Sequence, residues 1–219
     1  VVQMNYAAID SAKEHLVKID IPADWATTTE GAEMVKLADN EYFRDVIAPI
    51  LALEGDKLPS SAFNADGSVP TGTTKFEKRG VAVMVPKWVK ENCVQCNQCS
   101  FVCPHACIRP ALVADGSEKP ETFETKPALG IKGYGFRMQV SPLDCMGCGV
   151  CADVCPGMKG NKALVMTPFE EVEPVEAKNW EYAVDLPEVD ISEVKMADVK
   201  KSQFTPSLFE FSGACAGCG

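Results

Sequence analysis

Apolar residues recur along this chain with two different periods. Between Met4 and Lys18, Met4, Ala8, Ala12 and Leu16 fall on one face at helical spacing, with Lys13, Glu14 and Lys18 largely elsewhere. This pattern predicts an amphipathic helix that ends before Pro22. A second helical pattern opens at Asn40, a suitable N-cap, and runs through Tyr42, Phe43, Val46 and Ile47. Pro49 should end or kink it, and Gly55 reads as a stop. The period then drops to two. Val81-Ala-Val-Met-Val85 is a short β-type run, and Phe136, Met138 and Val140 alternate with Arg137 and Gln139 as a half-buried strand. Ala111-Leu112-Val113 and Ala163-Leu164-Val165 are two further short apolar β-type runs.

Three stretches lack such a period. From Asp56 to Gly80, turn chemistry (Asn64-Ala-Asp-Gly67, Pro70-Thr-Gly72) surrounds a basic patch of Lys75, Lys78 and Arg79. So long a stretch reads as a segment lying over a neighbouring domain, with a solvated linker as the plainer alternative. Between Ala114 and Arg137 an insertion rich in glycine and proline predicts a hairpin or loop excursion. From Glu170 to Asp198, ten acidic residues face Lys178 and Lys195 alone, as expected of a solvated face. Pro174 suits the first turn of a short helix carrying Trp180 and Tyr182, and the remainder, through Pro187 and Pro206, reads as an extended connector.

The chemistry lies in the cysteines. Cys93, Cys96, Cys99 and Cys103-Pro104 form C-x2-C-x2-C-x3-C-P, and Cys145, Cys148, Cys151 and Cys155-Pro156 repeat it 52 residues later. The offset also relates Ala111-Leu112-Val113 to Ala163-Leu164-Val165, as a duplicated half-domain with no gap would. This spacing is the one that holds [4Fe–4S] clusters in bacterial two-cluster ferredoxins, where the fourth cysteine ligates the other cluster. The expected sets are therefore Cys93, Cys96, Cys99 and Cys155 for one cluster, and Cys145, Cys148, Cys151 and Cys103 for the other. Zinc sites show two C-x2-C pairs without a third cysteine and a closing Cys-Pro. Disulfide frameworks belong to short secreted chains, and nothing here reads as a signal peptide.

Cys107 has Lys159 as its partner at the same offset, so it reads as a small buried apolar residue. His105, beside Cys103-Pro104, sits where a charge or hydrogen bond tunes a cluster, whereas His15 is an ordinary polar helix residue. Two histidines so placed offer no catalytic pairing. Gly213-Ala-Cys215-Ala-Gly-Cys218-Gly219 lacks the setting of a dinucleotide site and reads as half a metal site.

Composition narrows the partners. A net charge of −10 argues against nucleic acid, and no apolar run approaches the length that spans a bilayer. Eleven cysteines without an export signal suggest a reducing, cytoplasmic setting. Neither Val1 nor Gly219 looks like a natural end.

These residues resemble the thiamine-dependent pyruvate:ferredoxin (flavodoxin) oxidoreductases. Pro70-Thr-Gly-Thr-Thr-Lys-Phe-Glu-Lys-Arg-Gly80 looks like the segment entering that family's ferredoxin-type domain. Glu91 to Cys103-Pro-His-Ala, with Ile108-Arg-Pro110, looks like its first cluster loop, and Phe209 to Gly219 like the start of its thiamine-binding domain. Cys107 departs from an expected alanine. The resemblance implies a central piece of a longer enzyme that decarboxylates pyruvate on thiamine diphosphate and passes the acetyl group to coenzyme A. Electrons would leave one at a time through three [4Fe–4S] clusters to ferredoxin or flavodoxin. The two clusters above would be the middle and outer ones, and Cys215 and Cys218 half the ligands of the third. Thiamine diphosphate, Mg²⁺ and coenzyme A would bind elsewhere in the full enzyme, which would be a homodimer without nucleic-acid or membrane partners.

The expected fold is α+β: a bacterial two-[4Fe–4S] ferredoxin-like domain preceded by a helical segment and followed by an extended linker. Its parts are a helical segment at 1–62, an extended interdomain segment at 63–80 and the ferredoxin-like domain at 81–169 with its insertion at 114–136. An acidic extended linker at 170–212 and the start of the thiamine-binding domain at 213–219 complete it. A free-standing two-cluster carrier is the alternative, disfavoured by the helical leader, the connector and the Cys215/Cys218 pair.

Overall fold

The computed structural model describes residues 1–12, 14–26, 40–70, 72–189 and 199–205, so Cys215 and Cys218 lie outside the described residues. The chain divides into two compact units, Val1–Leu37 and Ala38–Gly219. In the first, helix α1 spans Val2–Ser11 and none of its residues is buried. It is shorter than the helix expected over 4–18. The Ser11 hydroxyl donates back to the Ala8 carbonyl at 3.0 Å, a local bond that competes with helix continuation.

The second unit opens with the expected cap. The Asn40 Oδ1 accepts from the Phe43 N–H at 2.8 Å. A π-helical turn over Phe43–Ile47 leads directly into α2, Ala48–Leu51, so the helix passes through Pro49 instead of ending there. The wider turn suits a proline, which lacks an N–H and crowds the carbonyl four residues back.

Among the described residues five strands follow: β1 Met84–Trp88, β2 Ile108–Ala114, β3 Lys126–Pro127, β4 Tyr134–Val140 and β5 Leu164–Pro168. β1 pairs antiparallel with β5, and β4 lies between β2 and β3, so each sheet joins strands from both copies of the cysteine motif. The insertion at 114–136 is a hairpin excursion, with Lys126 opposite Phe136. Strand β1 begins three residues later than the apolar run at Val81 suggested.

Pairing register revises the repeat. Val140 and Trp88, each five residues before its motif, pair with Ile108 and Leu164 respectively. Those two partners are 56 residues apart, not 52, so the repeat has a four-residue gap after Cys155. The same correspondence appears where the Ser141 N–H donates to Cys107 O and the Val89 N–H to Ala163 O, at 2.7 and 2.8 Å. The extra residues form a turn at Gly157, where a Cβ would stand 1.8 Å from Asn161 O, so only glycine fits. Identical letters at Ala111-Leu112-Val113 and Ala163-Leu164-Val165 masked this gap.

Phe136, Met138 and Val140 join Ile108, Leu112, Ala152, Ala163 and Leu164 in the main core. The opposite face of β4 is not solvated as expected. Helix α5, Phe169–Val184, covers it and buries Val172, Asn179 and Trp180. The acidic stretch read as an extended linker therefore begins as a sixteen-residue helix, with Pro174 inside it and not in its first turn. Glu176 explains the packing: Arg137 Nη2 donates to both its oxygens at 2.7 and 2.8 Å, and Gln139 Nε2 donates to it at 2.8 Å. A further short helix, α6 Val199–Ser202, returns the chain to the first cysteine loop.

Candidate metal centres

Each cysteine loop turns tightly before a short helix, α3 Gln98–Val102 in the first and α4 Val150–Asp153 in the second. The turns need left-handed backbone at equivalent positions. Gln95 and Asn97 have φ of 55° and 59°, and their counterparts Gly147 and Gly149 have 70° and 78°. Glycine adopts this conformation freely, whereas Gln95 and Asn97 are held in it by their side chains. Gln95 Nε2 donates to Pro127 O at 2.8 Å while its Oε1 accepts from the Leu129 N–H at 2.9 Å. Asn97 Nδ2 donates to Lys200 O at 3.1 Å. The two loops thus reach one shape by different means, and the first is tied to the insertion and to α6.

The loops curl their amides onto their own sulfurs. The Gln95 N–H points at Cys93 Sγ and the Gly147 N–H at Cys145 Sγ, both at 3.4 Å, and the Ala163 N–H points at Cys155 Sγ at 3.3 Å. Such donors stabilise negative charge on sulfur.

Two cavities result. One is lined by Cys93, Cys96, Cys99 and Cys155 together with Trp88, Met138, Ala163 and Leu164. The other is lined by Cys103, Cys145, Cys148 and Cys151 together with Pro86, His105, Cys107 and Ile108. In each, three cysteines come from one loop and the fourth from the Cys-Pro of the other. Among the described residues no three Cys, His, Asp or Glu side chains close on a single-ion point.

The electrostatics fit a cationic core. Burial pushes the Cys99 thiol well above its usual range, and neighbouring Cys93 and Cys96 add to the effect. Cys151 rises to about 12, through burial first and then Cys145 and Cys103. Cys103 is held at about 5, chiefly by a hydrogen bond from Cys107 and then, against burial, by N–H groups of His105, Cys107 and Ile108. Cys145 falls to about 7, again chiefly through Cys107. Crowded buried thiolates are costly without a compensating positive charge, and coordinated metal supplies it by deprotonating thiols outright.

Sequence reasoning missed three participants. Cys107 is buried as expected, but it touches two of the candidate ligands, and its structural counterpart is Ala163, not Lys159. Gln95 and Asn97 brace the first loop; their alignment with Gly147 and Gly149 was the available signal. His105 lines the second cavity, where proximity had placed it. The segment ending at Gly80 is fastened beside that cavity. The Gly80 N–H donates to Leu143 O at 2.8 Å, and Lys78 Nζ pairs with Asp144.

Residues 92–158 match a family model described as a 4Fe-4S dicluster domain, and residues 28–82 match EKR, described as a domain of unknown function. The whole chain is 54% identical over 223 residues to "Pyruvate:ferredoxin oxidoreductase" of Moorella thermoacetica, covering 19% of that protein. It is 45% identical over 224 residues to "Pyruvate-flavodoxin oxidoreductase" of Klebsiella pneumoniae, again covering 19%. The chain matches a segment of the pyruvate:ferredoxin (flavodoxin) oxidoreductases. It also aligns, 39% identical over 224 residues and 12% of the relative, with "Pyruvate dehydrogenase [NADP(+)], mitochondrial" of Euglena gracilis. The chain thus spans about a fifth or less of these relatives' length. Among the described residues no helix is long and apolar enough to cross a membrane.

Proposed function

We propose that this chain is the electron-transfer module of a pyruvate:ferredoxin (flavodoxin) oxidoreductase. Its two [4Fe–4S] clusters are held by Cys93, Cys96, Cys99 and Cys155 and by Cys145, Cys148, Cys151 and Cys103. The observation that carries this reading is the crossed lining of the two cavities, three thiols from one loop and one from the other. Bound there, the clusters supply reversible one-electron storage. The protein's own residues exclude water, direct N–H groups at the sulfurs and hold the two sites side by side through shared strands.

The fragment reading rests on full-length similarity to proteins about five times longer. Pyruvate, thiamine diphosphate, Mg²⁺ and coenzyme A are then handled by other parts of the polypeptide in a homodimeric enzyme, and ferredoxin or flavodoxin takes the electrons. Cys215 and Cys218, at C-x2-C spacing, give half the ligands of a third cluster.

Iron and sulfide analysis of the reconstituted chain tests the core of this proposal. About eight of each are expected, with a broad visible absorption that bleaches on reduction. Two tightly bound zinc ions and no sulfide would overturn it. Loaded and reduced, the chain should pass electrons to a small ferredoxin or flavodoxin. Supplied with thiamine diphosphate, it should not oxidise pyruvate by itself.

A further inference from the structure

The two candidate sites share one ligand plan and differ at a position beside the ligand sulfurs. Next to the first, Ala163 offers a methyl group. At the equivalent place next to the second stands Cys107, 5% exposed, with its sulfur 3.4 Å from Cys103 Sγ and packed in one buried cluster with Cys145. Its backbone is pinned on the carbonyl side by the Ser141 N–H at 2.7 Å. A thiol is a weak hydrogen-bond donor, and Cys103 and Cys145 as thiolates offer only acceptors. The S–H is therefore directed at ligand sulfur. Resting on the cluster assignment above, we propose that Cys107 is a positioning and tuning residue: its S–H hydrogen bond raises the reduction potential of the cluster held by Cys103, Cys145, Cys148 and Cys151 above that of its twin.

The physical argument is short. Hydrogen bonds to ligand sulfurs are among the factors that set cluster potential. A donor stabilises the more electron-rich form, because that form places more negative charge on the sulfurs. Amide donors reach sulfur in both sites, at Cys93 and Cys155 in the first and at Cys145 in the second, so the kind of donor they offer does not distinguish them. The Cys107 thiol does. An electron shared between the clusters then resides preferentially on the second.

An EPR-monitored redox titration of the loaded chain reads this directly. Cys107→Ala should keep about eight irons while one of the two midpoints falls, by roughly a three- to tenfold change in the reduction equilibrium, tenfold being 59 mV for one electron. Cys107→Ser, which retains a donor, should stay near the parent value. In a Cys155→Ala background, where the other cluster is the damaged one, the remaining midpoint should be the one that Cys107→Ala moves. Loss of about four irons in Cys107→Ala would make Cys107 a ligand and overturn the inference. Unmoved midpoints, or equal movement of both, with full iron would overturn it too while leaving the cluster assignment standing. A parent chain that binds no iron and sulfide fails at the assignment itself.

Discussion

Arg137 and Glu176 meet across the interface between β4 and α5, with Nη2 at 2.7 and 2.8 Å from the two carboxylate oxygens. Arg137 is fully enclosed: its Nε donates to Gln139 Oε1 at 2.7 Å, Nη1 donates to Glu124 O, and the guanidinium stacks over Phe123. Removing one partner from such a buried pair leaves the other charge uncompensated, at a cost of about 3–5 kcal/mol. Glu176→Ala is expected to destabilise the domain by about that much in denaturant unfolding. Replacing both residues with apolar side chains of similar volume should recover most of the loss. Near-zero change in the single variant would show that the helix is held by its apolar contacts alone.

Crossed lining predicts crossed damage. Cys155→Ala should cost mainly the cluster bounded by Cys93, Cys96 and Cys99, leaving about four irons on the other. The reciprocal test removes Cys103 and Cys107 together, because the Cys107 sulfur lies within 3.4 Å and is placed to substitute. That double variant should retain the first cluster. Iron analysis with EPR separates the cases, and losses in the opposite sense would show each motif closing on itself.

The crossed grouping of eight cysteines around two cavities was legible in their spacing, because the motif itself sets the fourth thiol apart from the other three. Strand β4 and the N-cap at Asn40 were equally readable, because each depends on neighbours in sequence. What escaped depends on partners far along the chain. The acidic run became a docked helix because Glu176 meets an arginine 39 positions earlier, which no local charge count reveals. The repeat's gap was hidden because Ala111-Leu112-Val113 and Ala163-Leu164-Val165 coincide by letter, while hydrogen bonding aligns Ile108 with Leu164.

That gap makes Gly157 a sensitive position. With φ at +58° and Asn161 O only 1.8 Å from any added Cβ, Gly157→Ala forces the turn open. Its cost should clearly exceed the 1–2 kcal/mol of left-handed strain alone. Gly160→Ala, at φ +84° with nothing within 4 Å, bears that strain without the clash and is the control. Thermal unfolding of the two should rank them in that order, and the Gly157 variant should release iron first from the Cys155 site.

Gln95→Ala strips the first loop of its brace. It leaves Pro127 O and the Leu129 N–H without their bonds and exposes an alanine to an unfavourable φ. Destabilisation of about 1–3 kcal/mol follows from the loss of these two part-buried hydrogen bonds. Gln95→Gly, which copies Gly147, should recover the backbone share but not the hydrogen bonds. Equal stability of all three proteins in denaturant titration would remove the brace from the account.

A tail prediction needs a longer polypeptide. If Cys215 and Cys218 ligate a third cluster, extending the chain toward the length of its relatives should raise iron from about eight to about twelve per chain. An extended chain that still holds eight would end that assignment.

The exchange of strands between the two halves also sets a timetable for synthesis. β1 pairs with β5, and the first cavity takes Cys155, Ala163 and Leu164 as walls, some sixty residues after its own loop has been made. A ribosome that has released only the first motif has produced a loop with four thiols and no sheet beneath it. Neither half is a smaller working version of the whole. The first cavity therefore closes only once the late strand has been made.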